Sequence, residues 1–153
     1  MVLGLGFILE TILLRAPIPI YNYNIKNMRK EIIDKYQIRF ENLKIDLGRG
    51  PNNEKLIDIN INDLGGFLIS IKKPDYYTSE LLLDIARALE GPETEEGIEK
   101  GGTTVLFYIH KTRTDFYSNY SDDFFSIPTI DFKEIVIGWR DFLLQPPLDG
   151  AKR

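Results

Sequence analysis

The stretch Leu56–Lys73, LIDININDLGGFLISIKK, constrains the fold more than any other part of the chain. Ile57, Ile59 and Ile61 fall on one side of an extended backbone, with Asp58, Asn60 and Asn62 on the other. After Asp63–Gly66, Phe67, Ile69 and Ile71 repeat the alternation. A period of two sends alternate side chains to opposite faces, so the spacing predicts two strands joined through Gly65-Gly66 into a hairpin. A hairpin with one apolar face needs further elements to cover it.

The rest of the chain supplies them. Tyr36, Ile38 and Phe40, then Leu43, Ile45 and Leu47, alternate with polar neighbours, and Gly48–Asn53 reads as a turn. Thr103–His110, TTVLFYIH, sets Val105, Phe107 and Ile109 against Leu106, Tyr108 and His110. Both of its faces are apolar, as in a central strand. Two segments change to helical spacing. Leu82, Ile85, Ala86 and Leu89 form a stripe behind Thr78 or Ser79, whose hydroxyls can cap the first amides, and Gly91-Pro92 stop it. Phe132, Ile135, Val136, Trp139, Phe142 and Leu143 form a second stripe, capped by Asp131 and stopped by Pro146-Pro147. Strands, helix, strand, helix is the order of an α+β fold: a mainly antiparallel sheet with helices packed on one face. One domain is expected over residues 1–153, with 1–27 an apolar and extended N-terminal segment.

That segment begins MVLGLGFILETILLR. No basic residue precedes its apolar run, Glu10 interrupts it, and Ala16-Pro17 makes a poor cleavage site. The run also falls short of the roughly 20 apolar residues that cross a bilayer. A buried strand or helix is expected, followed by an edge strand or arm at Pro17–Asn27, with no membrane partner and a cytoplasmic location.

Composition narrows the function. The net charge of −4 and pI near 5.1 argue against a nucleic-acid partner, which calls for a basic patch. With no cysteine and a single histidine, disulfides and thiolate metal sites are excluded. Neither glycine pair has phosphate-loop spacing, and Asp122-Asp123 lacks the further ligands a metal needs, so no cofactor or metal is expected. Asp58, Asp63 and Ser70-Ile71-Lys72 resemble a nuclease pattern in which serine occupies the place of the second acid. His110 is expected at a strand end near solvent; Asp115, Asp122, Ser118 and Ser121 are its nearest partners for chemistry, and no spacing demands that role. No catalytic residue is assigned.

Two segments look like surfaces for recognition: Asp75, Tyr76 and Tyr77 between the elements, and Asp115, Tyr117, Tyr120, Asp122 and Asp123 after the central strand. The acidic loop with Glu93, Glu95, Glu96 and Glu99 adds charge. Tyrosines bury area at low entropy cost, and carboxylates steer a basic protein partner.

The order strand Thr103–His110, acidic aromatic loop, Ser126-Ile127-Pro128-Thr129, then a helix with Trp139 and Phe142-Leu143 resembles the C-terminal end of bacterial immunity proteins. These neutralise toxins of contact-dependent growth inhibition and related polymorphic toxin systems. The likeness covers roughly the last third of the chain; the apolar start departs from it, and Met28 is an alternative start. It implies a cytosolic, non-enzymatic protein that covers the active site, or an adjacent surface, of a cognate toxin's C-terminal domain, nucleases included. Asp115, Asp122, Asp123 and the Glu93–Glu99 loop would then supply charge, Tyr117 and Tyr120 the anchors, and Trp139 core packing. The alternatives are a small hydrolase using His110 and carboxylates, or an adaptor or oligomer subunit docking through its apolar N-terminus.

Overall fold

Helix α1 (Lys30–Tyr36) stops where Gln37 turns left-handed, at φ 52° and ψ 47°. The Gln37 amide bonds the Asp34 carbonyl and the Ile38 amide that of Ile33, the pairing that closes a helix with a left-handed residue. The computed structural model describes residues 28–46, 48 and 50–146; the N-terminal segment 1–27, Leu47 and Pro147 lie outside these residues. Past Gln37 the chain runs into β1 (Arg39–Asp46), which pairs antiparallel with β2 (Pro51–Asp58). The expected turn is therefore shorter than Gly48–Asn53, and Tyr36 closes a helix instead of opening a strand.

Ile57, Ile59 and Ile61 are all buried, as their alternation requires. The second half of the predicted hairpin is instead helix α2 (Asn62–Ser70). Its apolar residues satisfy both periods, Phe67, Ile69 and Ile71 at two, and Leu64, Phe67, Leu68 and Ile71 at three and four. Burial selects the helical set, with Leu64, Phe67 and Leu68 almost fully enclosed. Gly65 is a packing glycine, not a turn: a Cβ there would lie 3.0 Å from Cγ2 of Ile59.

The next helix also begins earlier than its expected cap. Pro74 opens α3 (Pro74–Tyr76), a π-helical turn spans Tyr77–Leu81, and α4 (Leu82–Glu90) completes it. Thr78 and Ser79 are exposed within the wide turn. Tyr77, Leu81, Ile85 and Ala88 point into the core at ordinary helical spacing, while Leu82 and Leu89 lie at its margin.

Strands β3 (Ile98–Gly101), β4 (Val105–Ile109), β5 (Arg113–Ser118) and β6 (Phe124–Pro128) form one antiparallel sheet in that order. β4 is central, as its sequence indicated. β3, β5 and β6 come from stretches that read as loops. Helix α5 (Thr129–Leu144) lies against the inner face, with the Phe132 ring 5.6 Å from Phe107 and 5.2 Å from Phe116. The architecture is α+β, with separate antiparallel sheets of two and four strands.

Helix α5 ties the two halves together. Asp131 sits inside its first turn, not at its cap, and accepts hydrogen bonds from the Tyr36 hydroxyl (2.7 Å) and Lys35 (3.2 Å). Arg29 pairs with Glu134 at 2.6 Å. At the other end the buried Lys55 ammonium donates to the carbonyls of Phe142 (2.6 Å), Leu143 (3.2 Å) and Gln145, standing where a helix leaves acceptors unpaired. Burial lowers the Lys55 pKa from the usual lysine range. Lys55→Met keeps much of the stem and removes the charge. It is expected to cost about 1–3 kcal/mol in urea unfolding, and a loss near zero would show that these contacts do not hold the helix end.

Candidate functional site

Strand β4 directs Val105, Phe107 and Ile109 to the helices, leaving Leu106, Tyr108 and His110 on the opposite face. Register then builds that face. Tyr117 stands opposite Leu106, Asp115 opposite Tyr108, Phe124 opposite Tyr117, and Ser126 opposite Asp115. The result is two bands crossing the sheet, one aromatic and one polar.

In the aromatic band, Tyr108 and Tyr117 have ring centroids 5.9 Å apart in an edge-to-face arrangement, and Tyr117 and Phe124 are 5.0 Å apart. Tyr117 is 43% and Phe124 50% exposed, unusual values for rings already packed together. The Tyr108 hydroxyl lies 3.5 Å from Glu99 on β3; desolvation, with the Glu99 charge, raises the phenol's pKa. Beyond this band the β5–β6 turn presents Tyr120, Asp122 and Asp123 to solvent. The turn is anchored: the Asn119 side-chain amide donates to Gly102 and Thr103 carbonyls at 2.9 and 3.1 Å.

In the polar band His110 and Asp115 are buried, and Ser126 is exposed at the rim. His110 is 8% and Asp115 6% exposed, so neither stands near solvent as expected, and Asp115 is not a free surface charge. One Asp115 oxygen lies 3.4 Å from Nε2 of His110; the other accepts from Ser126 Oγ at 2.9 Å and Arg113 Nε at 3.2 Å. The loop 92–97 closes over the imidazole, with the Thr94 carbonyl 3.5 Å from Nδ1. Gly97 has φ +68°, and a Cβ there would lie 2.9 Å from Cε1 of His110, which fixes both the backbone and the residue type. A hydrolytic relay needs imidazole between hydroxyl and carboxylate. Here the carboxylate is the hub, and the cluster joins β4, β5, β6 and the loop.

The other sequence-derived positions are spread out. Glu93, Glu95 and Glu96 are exposed in the loop over His110, at the opposite end of the face from Asp122 and Asp123. Tyr77 is fully buried and is core instead of an anchor: its hydroxyl donates to the carbonyls of Leu68 (2.8 Å) and Ile71 (2.7 Å). Tyr76 is half-buried against Phe67, and exposed Asp75 lies beside it in the helical layer. Tyr108 and Phe124 were missed. Tyr108 was legible as the second face of TTVLFYIH, whereas Phe124 needed the β5–β6 pairing.

The nuclease-like pattern does not assemble, because Asp58 pairs with Arg39 at 2.6 Å, Asp63 lies in the first turn of α2, and Lys72 pairs with Glu54. An open groove of about 660 Å³ beside that Arg39–Asp58 pair is lined by Asp34, Gln37 and Asn60. Among the described residues no three His, Asp or Glu side chains converge to hold a metal ion. Among the same residues no helix is long and apolar enough to cross a membrane. No family model, curated protein or solved structure matches the chain.

Proposed function

We propose that the protein acts in the cytoplasm by binding another protein across the open face of the four-stranded sheet, and that this partner is the C-terminal domain of a bacterial toxin, which it neutralises. The observation that carries this is the aromatic band in which exposed Tyr117 and Phe124 pack on each other and on half-buried Tyr108, with carboxylates at both ends of the face. Rings already held by one another lose little freedom when a partner covers them. Acidic groups at the two ends favour a partner with a basic surface and speed its approach, as the cleft of a nuclease toxin would provide. The immunity-protein likeness of the C-terminal third supports the choice of partner.

The test uses the tagged full chain as bait in lysate of its own organism, beside Tyr117→Ala and Phe124→Ala baits. The wild type is expected to recover the C-terminal fragment of a large secreted toxin in a salt-sensitive one-to-one complex. Each variant should bind the purified fragment roughly 30-fold more weakly, the loss typical of an interface hot spot. Equal affinity for all three baits would remove the open face from the interface. Recovery of housekeeping proteins alone would remove the toxin.

A further inference from the structure

The two edges of the four-stranded sheet are built differently. β3 is four residues long and carries Glu99 and Lys100, the latter paired with Asp84 at 2.6 Å. Charges on a short strand are how sheet edges avoid pairing with other chains. β6, Phe124-Phe125-Ser126-Ile127-Pro128, has no charge. Phe124 lies on the open face; Phe125, 41% exposed, lies on the helical side, and Ile130 just beyond is exposed as well.

Among the described residues no strand pairs with the outer side of β6, and its backbone groups point outward there in a definite pattern. The Ser118 amide donates to the Asp123 carbonyl at 3.1 Å and the Thr129 amide to the Thr112 carbonyl at 3.2 Å. Because antiparallel strands alternate bonded and non-bonded pairs, Phe125 and Ile127 also face β5. Phe124 and Ser126 therefore direct both amide and carbonyl away from the sheet, and Pro128 directs a carbonyl alone. The charge along this edge is polar too. Exposed Asp122 and Asp123 stand at one end; at the other stand the start of α5 and exposed Arg113, whose Nε also holds Asp115, while Lys111 is turned to the Gly91 carbonyl.

We propose that β6 pairs antiparallel with β6 of a second copy of this chain, about a two-fold axis at Ser126. In that register the two Ser126 residues exchange amide–carbonyl bonds, and each Phe124 amide meets the other copy's Pro128 carbonyl. The missing proline donor falls at the margin of the pair. Asp122 and Asp123 of each copy come beside Arg113 and the helix start of the other, so the edge is complementary to itself. The apolar rings on both sides of the strand gain cross-strand neighbours, and Phe124 keeps its place on the open face. Since β3 is charged, growth stops at two copies and one continuous eight-stranded sheet. This inference does not depend on the proposed toxin.

The experiment is sedimentation equilibrium of the full chain, from low micromolar to hundreds of micromolar. The mass should rise from 17.7 kDa toward twice that value. Ser126→Pro deletes an outward amide and no backbone bond to β5, although the Oγ bond to Asp115 goes with it, and should weaken association by about tenfold or more through the donors lost. Its fold is checked by circular dichroism; if it does not fold, Phe124→Lys, at an exposed position, carries the same expectation. The chain has no cysteine, so Ser126→Cys should cross-link to its own copy under mild oxidation while Glu99→Cys on the other edge should not. A mass of 17.7 kDa throughout overturns the proposal. So does a folded Ser126→Pro or Phe124→Lys that associates like the wild type, or cross-linking no greater at Ser126 than at Glu99.

Discussion

Trp139→Ala is expected to lower the stability of the chain by about 3–5 kcal/mol, the range for deleting a fully enclosed large aromatic. The indole is completely buried, with ring centroids 6.0 Å from Phe40 and 5.9 Å from Phe142. Its Nε1 donates to the Leu68 carbonyl at 3.0 Å and to the Tyr77 hydroxyl at 3.2 Å. One side chain thus fills the space between β1 and α5 and satisfies a carbonyl at the end of α2. Trp139→Phe keeps a ring and loses the donor, so it should fall between wild type and alanine. Urea unfolding followed by circular dichroism measures both, since Trp139 is the sole tryptophan. A loss under about 1 kcal/mol for alanine would mean the site collapses and that the indole is not the joint between these elements.

The second large effect is alkaline. Burial raises the pKa of Tyr77 above the ordinary tyrosine value; burial followed by the hydrogen bond to Asp131 does the same for Tyr36. As pH climbs past about 10 the unfolded chain loses these protons while the folded chain keeps them, so the unfolded state binds fewer protons and stability falls with pH. The contribution is whole below about pH 10, and by pH 12 the loss reaches roughly 2–3 kcal/mol per tyrosine. Lys55, whose folded pKa is lowered, works in the opposite sense as pH approaches its unfolded value. Urea midpoints measured against pH should therefore drop steeply above about 10, and Tyr36→Phe and Tyr77→Phe should each flatten the drop. Parallel curves for wild type and both variants would rule these phenols out as its cause.

The parts of the fold that could be read in advance are those where one period has no competitor. TTVLFYIH alternates cleanly, and the stripe from Phe132 to Phe142 recurs only at three and four; both became the elements they describe. Leu64–Ile71 satisfies two periods at once, and packing against Ile57 and Ile59 decided for the helix. In the helix before Gly91 the buried stripe Tyr77, Leu81, Ile85 and Ala88 and the expected Leu82, Ile85, Ala86 and Leu89 both recur at three and four, so spacing alone does not choose between them. The same limit governs the candidate site. Chemistry marked Tyr117, Tyr120, Asp122 and Asp123 as a group, and β5 with its turn does bring them to one end. That Asp115 turns inward while Phe124 turns outward follows from the strand register, which residue types alone do not carry.

The dependence of α1 and the β1–β2 hairpin on α5 has a consequence during synthesis. Tyr36 to Asp131, Arg29 to Glu134 and Lys55 to Phe142 span 95, 105 and 87 positions of sequence. Chains emerge from the ribosome amino end first, so α1 and β1–β2 enter the cell with their apolar sides bare. Met28, Phe40 and Tyr36 find their cover only when the last helix clears the exit, and closing such distant contacts is the slow part of a folding reaction. The nascent protein is therefore most exposed to capture by chaperones and proteases just before it is complete.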